Sequence, residues 1–271
     1  MQGRLVAICC AGVVATMLSG CNSHHDEDDA ANPVAEAVVA PVEVTPSSVV
    51  QNPPAPETSA APAAVPSAPA APPPPQLVTP GKVEALLVPV SDLNDIVGAK
   101  LGFEKQFNRP GAAAGGLGEK SNCAVLFGSN SATYANQYTA FRRSSVRDGE
   151  DSSQHFVAQE AATFADVDTA HKNFQAAFNK QALEGCNGAV VHRQGDDDRI
   201  KWKLDVTNVA DDSAQWTLVQ ESDGKPNDWV CAHDARAKSN VQLSVTVCQF
   251  GNPGPAATTV IDRMSGWVPQ Q

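Results

Sequence analysis

The chain has 271 residues, with 19 Lys and Arg against 30 Asp and Glu and a formal net charge of −11. No stretch gathers Lys and Arg into a patch, so electrostatic binding to nucleic acid or to anionic lipid headgroups is excluded as a function class. Fourteen of the twenty prolines fall in 22–80, which carries seven acids and no Lys, Arg, Phe, Trp or Tyr. Such a stretch cannot bury enough apolar surface to fold, so one domain of ordinary size is expected over 81–271.

The first element is a leader. Arg4 is followed by an apolar run from Leu5 to Met17, too short to span a bilayer and of the length of a signal-peptide core. Leu18-Ser19-Gly20-Cys21 follows, and is similar to the box at which bacterial lipoproteins are lipidated on the cysteine thiol and then cleaved. The expectation is a signal peptide over 1–20, with Cys21 lipidated at the mature N-terminus. The protein would then be anchored on the extracytoplasmic face of the cell membrane, in the cell envelope. The alternative is an ordinary secretory signal with a chance cysteine. Two acyl chains are enough for stable anchoring, and no other run of the sequence is long and apolar enough to cross a membrane.

Residues 21–80 read as a disordered acidic Pro/Ala-rich linker, with polyproline-like stretches such as Pro72-Pro73-Pro74-Pro75. A coil of this length averages about 40–45 Å end to end, and a polyproline helix on the order of 180 Å. His24-His25-Asp26-Glu27-Asp28-Asp29 offers metal-ligating groups in a row, but nothing fixes a coordination geometry, so the run reads as a solvated spacer.

In the domain, Ser91 caps a helix whose apolar face is Leu93, Ile96, Val97 and Leu101, ended by Gly98 or Gly102. Residues 109–120 carry Pro110 and four glycines and read as a flexible loop; without a Gly-Lys-Ser/Thr ending they are no phosphate loop. Cys123–Phe127 reads as a short buried strand, followed by strands over Tyr134–Arg143 and His155–Phe164. Asp166 caps a helix running to about Leu183, with Ala170, Phe174, Ala177 and Phe178 buried and Gly185 as its stop. A meander follows. Trp202, Leu204 and Val206 share one strand face; Trp216, Leu218 and Gln220 share the next. Trp229–Ala235 and Val241–Phe250 then form a hairpin. A last helix over about Ala256–Trp267 turns Val260, Ile261, Met264 and Trp267 inward.

Four cysteines remain after Cys9 and Cys10 leave with the leader and Cys21 takes lipid: Cys123, Cys186, Cys231 and Cys248. An even number in an oxidising compartment predicts two disulfides, with three connectivities open. A four-cysteine zinc site would want a Cys-x2-Cys spacing, which is absent. If the hairpin loop centres between Ser239 and Asn240, Cys231 lies opposite Cys248, at the separation a bridge needs, which leaves Cys123 with Cys186. Both read as staples.

These features together resemble a family. The carrying residues are Leu87-Val88-Pro89, Ser91, Asn94 and Val97-Gly98 at the first helix; Cys123; Gln159; the 166–183 helix and Cys186; Trp229-Val230-Cys231; Asn240-Val241; and Cys248. Over about Leu86–Val268 the chain resembles the extracellular sensor domain of mycobacterial PknH-type Ser/Thr kinases, which also occurs in stand-alone lipoproteins. The resemblance implies an α+β fold: a twisted antiparallel β-sheet with packed helices, two disulfides paired as above, and a large cleft for a ligand. The sequence departs from those kinases in carrying neither a kinase domain nor a transmembrane helix, so any consequence of binding is expected on the outer side of the membrane.

No catalytic constellation is legible. His155, His171, His192 and His233 fall in no metal-binding spacing, and Gly128-Ser129-Asn130-Ser131-Ala132 only grazes a nucleophile elbow. Asp196-Asp197-Asp198 beside Gly195 reads as a solvated turn, Glu160 as a strand residue that is either a site acid or points to solvent, and Trp202, Trp216 and Trp229 as core rather than a ligand platform. In the register that pairs the cysteines, Asp234 opposes Val245 and Arg236 opposes Leu243, two charges on one apolar face. They either pair internally, line a ligand cleft, or turn to solvent at a bulge. The expectation is therefore a non-enzymatic envelope protein with no cofactor and no metal. Its domain binds a small ligand or a cell-wall component in a cleft, with Asp234 and Arg236 as candidate ligand-binding residues. The other readings are an interaction module for a membrane partner such as a kinase or transporter and, third in order, a hydrolase acting on envelope lipid or glycan.

Overall fold

The computed structural model describes residues 76–151 and 153–269. The leader, Cys21 and the linker up to residue 75 lie outside the described residues.

The described elements, in order, are a 3-10 helix Pro80–Leu86, α1 (Val90–Val97), β1 (Phe103–Phe107), a 3-10 helix Gly118–Phe127, α2 (Ser131–Tyr134), β2 (Ala140–Arg147), β3 (His155–Thr163), α3 (Val167–Ala177), α4 (Lys180–Glu184), β4 (Val190–Val191), β5 (Ile200–Val209), β6 (Ser213–Ser222), β7 (Lys225–Lys238), β8 (Val241–Phe250) and α5 (Gly254–Gly266). The strands form one sheet, ordered β1-β2-β3-β8-β7-β6-β5-β4 and antiparallel throughout. This is the α+β architecture expected.

Both faces of the sheet are covered, which is why β3 and β8 at its centre are buried on nearly every residue. One face carries Val157, Ala161, Leu243, Val245 and Val247, packed under α1, α5 and the Pro80–Leu86 helix. The other carries Leu204, Trp216, Leu218 and Ala235, packed under α3, α4 and the Gly118–Phe127 helix. Burying one such Leu or Val side chain stabilises by about 1.5–3 kcal/mol, so the two layers hold the sheet from both sides.

The hairpin register is as expected: Cys231 opposes Cys248, Asp234 opposes Val245 and Arg236 opposes Leu243, with no bulge among these pairs. Its two-residue loop works because Ser239 takes a positive φ of 52°, the hand that matches strand twist. Cys123–Cys186 and Cys231–Cys248 are the two disulfides.

Several local expectations are corrected. Cys123–Phe127 is the end of a 3-10 helix, because a five-residue apolar run has no period by which to tell strand from helix. Tyr134 ends α2, which Asn130 and Thr133 close with reciprocal capping bonds, and the next strand starts only at Ala140. The helix capped by Asp166 stops at Ala177, and a second begins at Lys180 under its own cap, Asn179. In α5 it is Val268, just past the helix end, that is buried, while Trp267 stays exposed. The glycine-rich 109–117 stretch does not stand away from the fold: Gly115 and Gly116 pack so closely on Gln194 that a Cβ at either would collide with it.

Candidate functional site

A cavity on the sheet face under the Gly118–Phe127 helix follows from side-chain sizes along the strands. Residues directly opposed on antiparallel strands share a face. One row across this face reads Ala158, Thr246, His233, Trp216; the adjacent row reads Phe156, Cys248, Cys231, Leu218. Ala158 and Thr246 are small, whereas Trp216 and Phe156 stand high at the flanks, so the floor dips between them. Phe127, Gly128 and Arg193 roof the dip, enclosing a cavity of about 130 Å³. Larger hollows, among them those beside Arg142 and Gln159, beside Asp234 and beside Arg236, are all more open to solvent.

Glu160 is buried at the edge of this cavity, not solvent-facing. It sits directly across from Arg143 of β2, and Arg143 Nε lies 3.4 Å from Glu160 Oε1. Tyr134 Oη donates to Glu160 Oε2 at 3.1 Å. Burial pushes the Glu160 carboxyl up from the ordinary carboxylate range; Arg143, and hydrogen bonds from Ser129 and Tyr134, pull it back only in part. Burial, with the neighbouring Glu160 charge, also raises the Tyr134 phenol. The Arg143 guanidinium lies over the Phe107 ring, and its buried Nε has no hydrogen-bond partner among the described residues.

His233 forms part of the cavity wall. Its Nδ1 is 2.9 Å from Thr246 Oγ1, and its ring stacks on Trp216. Burial lowers its pKa to about 3, so the imidazole is neutral at physiological pH. Its buried Nε2 also lacks a hydrogen-bond partner among the described residues. Arg193, opposite, lies over both Phe127 and Trp202 and is held by Asp196 at 2.6 Å, which also accepts from Trp202 Nε1. The expected solvated turn at Asp196-Asp197-Asp198 thus contributes one carboxylate that fixes the roof. Arg143 and His233, which both line this cavity, thus each hold a buried nitrogen without a hydrogen-bond partner among the described residues, and such atoms are rare in folded proteins.

A family model described as the PknH-like extracellular domain matches residues 78–266, well over half the chain. The chain belongs to the PknH-like extracellular domain family. Among solved structures, the extracellular domain of PknH from Mycobacterium tuberculosis superposes with a TM-score of 0.61 at 21% identity, covering 70% of this chain and 96% of that chain. At that identity the likeness establishes the shared fold. No curated protein sequence gives a match.

Within this PknH-like domain, the residues singled out from sequence fall in different places. Asp234 and Arg236 pair with each other, Arg236 Nη2 to Asp234 Oδ2 at 3.2 Å. Gln215 Nε2 donates to Asp234 Oδ2 at 2.7 Å, and Asp262 of α5 accepts from Arg236 Nη1 at 2.7 Å. Neighbouring strand residues point to opposite faces, so this network lies on the α5 side while His233 faces the enclosed cavity. Of the other histidines, His155 Nδ1 lies 2.8 Å from Asp148 Oδ2 and His192 Nδ1 lies 2.9 Å from the Ile200 carbonyl. Trp216 and Trp202 are buried as expected, though Trp202 also lines the cavity. Cys21 lies outside the described residues. Arg143 and Arg193 sit in no sequence motif, and His233 falls in no metal-binding spacing. The one available signal was the alternation that puts Glu160 on the same face as Phe156 and Ala158.

Proposed function

We propose that this domain is the non-enzymatic ligand-binding module of a cell-envelope lipoprotein, held outside the membrane by a lipid on Cys21 and an acidic linker over 21–80. Its ligand is a small molecule or a cell-wall component, taken into the cavity between His233, Glu160 and the Phe127–Arg193 roof. The observation that carries this reading is one cavity whose lining brings Arg143, Glu160, Arg193 and His233 together against Phe127, Phe156 and Trp202. An apolar wall with a few convergent polar groups is what a small-molecule site needs. This reading puts the ligand away from Asp234 and Arg236, whose charges pair with each other and with Asp262.

Native mass spectrometry of the protein purified from envelope extract tests this. The expected result is a retained small molecule that is lost when Ala158→Leu fills the floor. Retention unchanged by Ala158→Leu would refute the cavity. Replacing Cys21 with Ser is expected to release the protein from the membrane fraction; a variant still membrane-bound would count against the lipid anchor.

A second reading, a docking module for a membrane protein, draws on β1. This edge strand is exposed on all five residues and presents Phe103 and Phe107 on one face, with Lys105 between them. Loss of a co-purifying protein in Phe103→Asp/Phe107→Asp, with small-molecule retention intact, would favour it.

A further inference from the structure

The polar groups of the cavity also say what kind of ligand fits. Resting on the cavity reading above, we propose that the site takes the carboxylate or phosphate of a small organic anion on Arg143, and that Glu160 takes up one proton as the anion replaces it.

Arg143 and Glu160 set the charge of the site. They form an ion pair at 3.4 Å in which Nε makes no hydrogen bond, so the guanidinium is neutralised but its donor is unused. A guanidinium is suited to oxyanions because its donors form a rigid fork. An anion entering the cavity can pair with the Arg143 guanidinium, but not while the buried Glu160 stands ionised against the same arginine. Two like charges at one buried site are resolved by protonating one of them. Glu160 is the group placed to be protonated. Its Oε2 is already held by Tyr134 Oη, so a proton taken from solvent goes to Oε1, the oxygen nearest Arg143. The Oε1–H then becomes a donor to the bound anion. The site's charge before binding is one cation and one anion; after binding it is one cation, one ligand anion and a neutral acid.

The charged and titratable groups facing Glu160 are consistent with this. Arg143 comes from β2, Tyr134 from α2, His233 from β7 and Arg193 from the β4–β5 loop. His233 stays neutral and, in the tautomer in which Thr246 donates to Nδ1, offers Nε2–H as a second donor. Arg193 adds positive potential at the roof, moderated by Asp196. Phe127, Phe156 and Trp202 line the remainder of the cavity, which suits an anion carried on an apolar ring.

Benzoate and benzamide test the proposal, since they share shape and differ in charge. Calorimetry on the purified chain is expected to show benzoate binding about tenfold or more tighter than benzamide near pH 5, the worth of one charge-assisted hydrogen bond. Benzoate affinity should fall as pH rises, and titrations in two buffers of different ionisation enthalpy should report proton uptake on binding. Glu160→Gln should bind benzoate at least as tightly and remove both the uptake and the pH dependence. Arg143→Gln should weaken benzoate about tenfold, and Arg143→Lys, which keeps the charge, should weaken it less. Equal binding of the two probes, no binding of either, or a pH dependence that survives Glu160→Gln overturns the proposal. Benzamide binding as tight as benzoate, with both lost in Ala158→Leu, would sink the anion while leaving the cavity as a ligand site. Envelope-ligand retention untouched by Ala158→Leu would sink both.

Discussion

The His233 imidazole lies flat on the Trp216 indole, ring centroids 4.9 Å apart and planes 9° from parallel. The stack helps bury the ring, and burial alone lowers the histidine pKa to about 3. Folding therefore requires a neutral ring, whereas the unfolded chain binds a proton below about pH 6.5. Between these two values the unfolded state holds more protons, so stability must rise with pH.

This gives the first prediction. His233 contributes its full stability above about pH 6.5 and loses it progressively toward pH 3, a change on the order of a few kcal/mol. Glu160, with its raised pKa, works in the opposite sense, so the informative quantity is the difference between wild type and His233→Gln. Urea unfolding at pH 7 and pH 4 is expected to show a much smaller loss in the variant. Equal slopes would mean that the imidazole protonates without unfolding the site.

The two disulfides should not be equivalent. Cys231–Cys248 closes a separation of 17 residues inside a hairpin whose register is already fixed by its backbone ladder. Cys123–Cys186 closes 63 residues and ties the Gly118–Phe127 helix to the turn after α4, where Lys120 Nζ also donates to the Gly185 carbonyl. Loop entropy assigns about 3 kcal/mol to the first and about 4 to the second. Replacing Cys123 and Cys186 by Ser should lower the denaturant midpoint more than replacing Cys231 and Cys248 by Ala. It should also speed amide exchange over 118–128, the roof of the cavity. An unchanged roof would show that packing, not the bridge, positions Phe127.

What the sequence disclosed and what it hid follow from the range of the interactions. The β7–β8 register was legible because a two-residue loop and a cysteine pair both fix it locally. The caps at Asp166 and Gly98 were legible for the same reason, as single side chains or glycines acting within one turn. The burial of Glu160 was not, because its partners Arg143 and Tyr134 sit 17 and 26 residues earlier and meet it only across the sheet. The Arg193 roof was hidden similarly, since Gly115 and Gly116 read as a loop until they pack on Gln194. β1 left no signal because none of its residues is buried.

The start of the domain is fastened by two buried carboxamides. Asn240 accepts from Val78 N at 2.8 Å and donates to the carbonyls of Val78 and Phe164. Gln159 likewise donates to the Val88 carbonyl and accepts from Val88 N, each at 2.7 Å. Asn240→Ala would leave three backbone groups without their partner, at a cost of about 3 kcal/mol. Asn240→Asp should be no better, because a carboxylate cannot donate to the two carbonyls. Hydrogen exchange is expected to show residues 77–90 losing protection in both variants while β7 and β8 keep theirs. Retained protection at Val78 would show that Val83 and Leu86 hold the segment by packing alone.

The Asp234–Arg236–Asp262 network separates stability from binding. The Asp234 side chain is only 2% exposed, whereas that of Asp262 is 58% exposed. Arg236→Leu removes the cation from a buried carboxylate that keeps only Gln215 as a side-chain partner, and breaking one side of a buried pair costs about 3 kcal/mol. Asp262→Ala removes an exposed partner and should cost under about 1 kcal/mol. Both changes lie on the α5 face, away from His233 and Glu160. Thermal melts should therefore rank Arg236→Leu well below Asp262→Ala, while retention of an envelope ligand stays at the wild-type level in both wherever the protein is folded. Loss of a retained ligand from folded Arg236→Leu would put ligand binding on the α5 face of the sheet, because Arg236 pairs with Asp234 and Asp262 there.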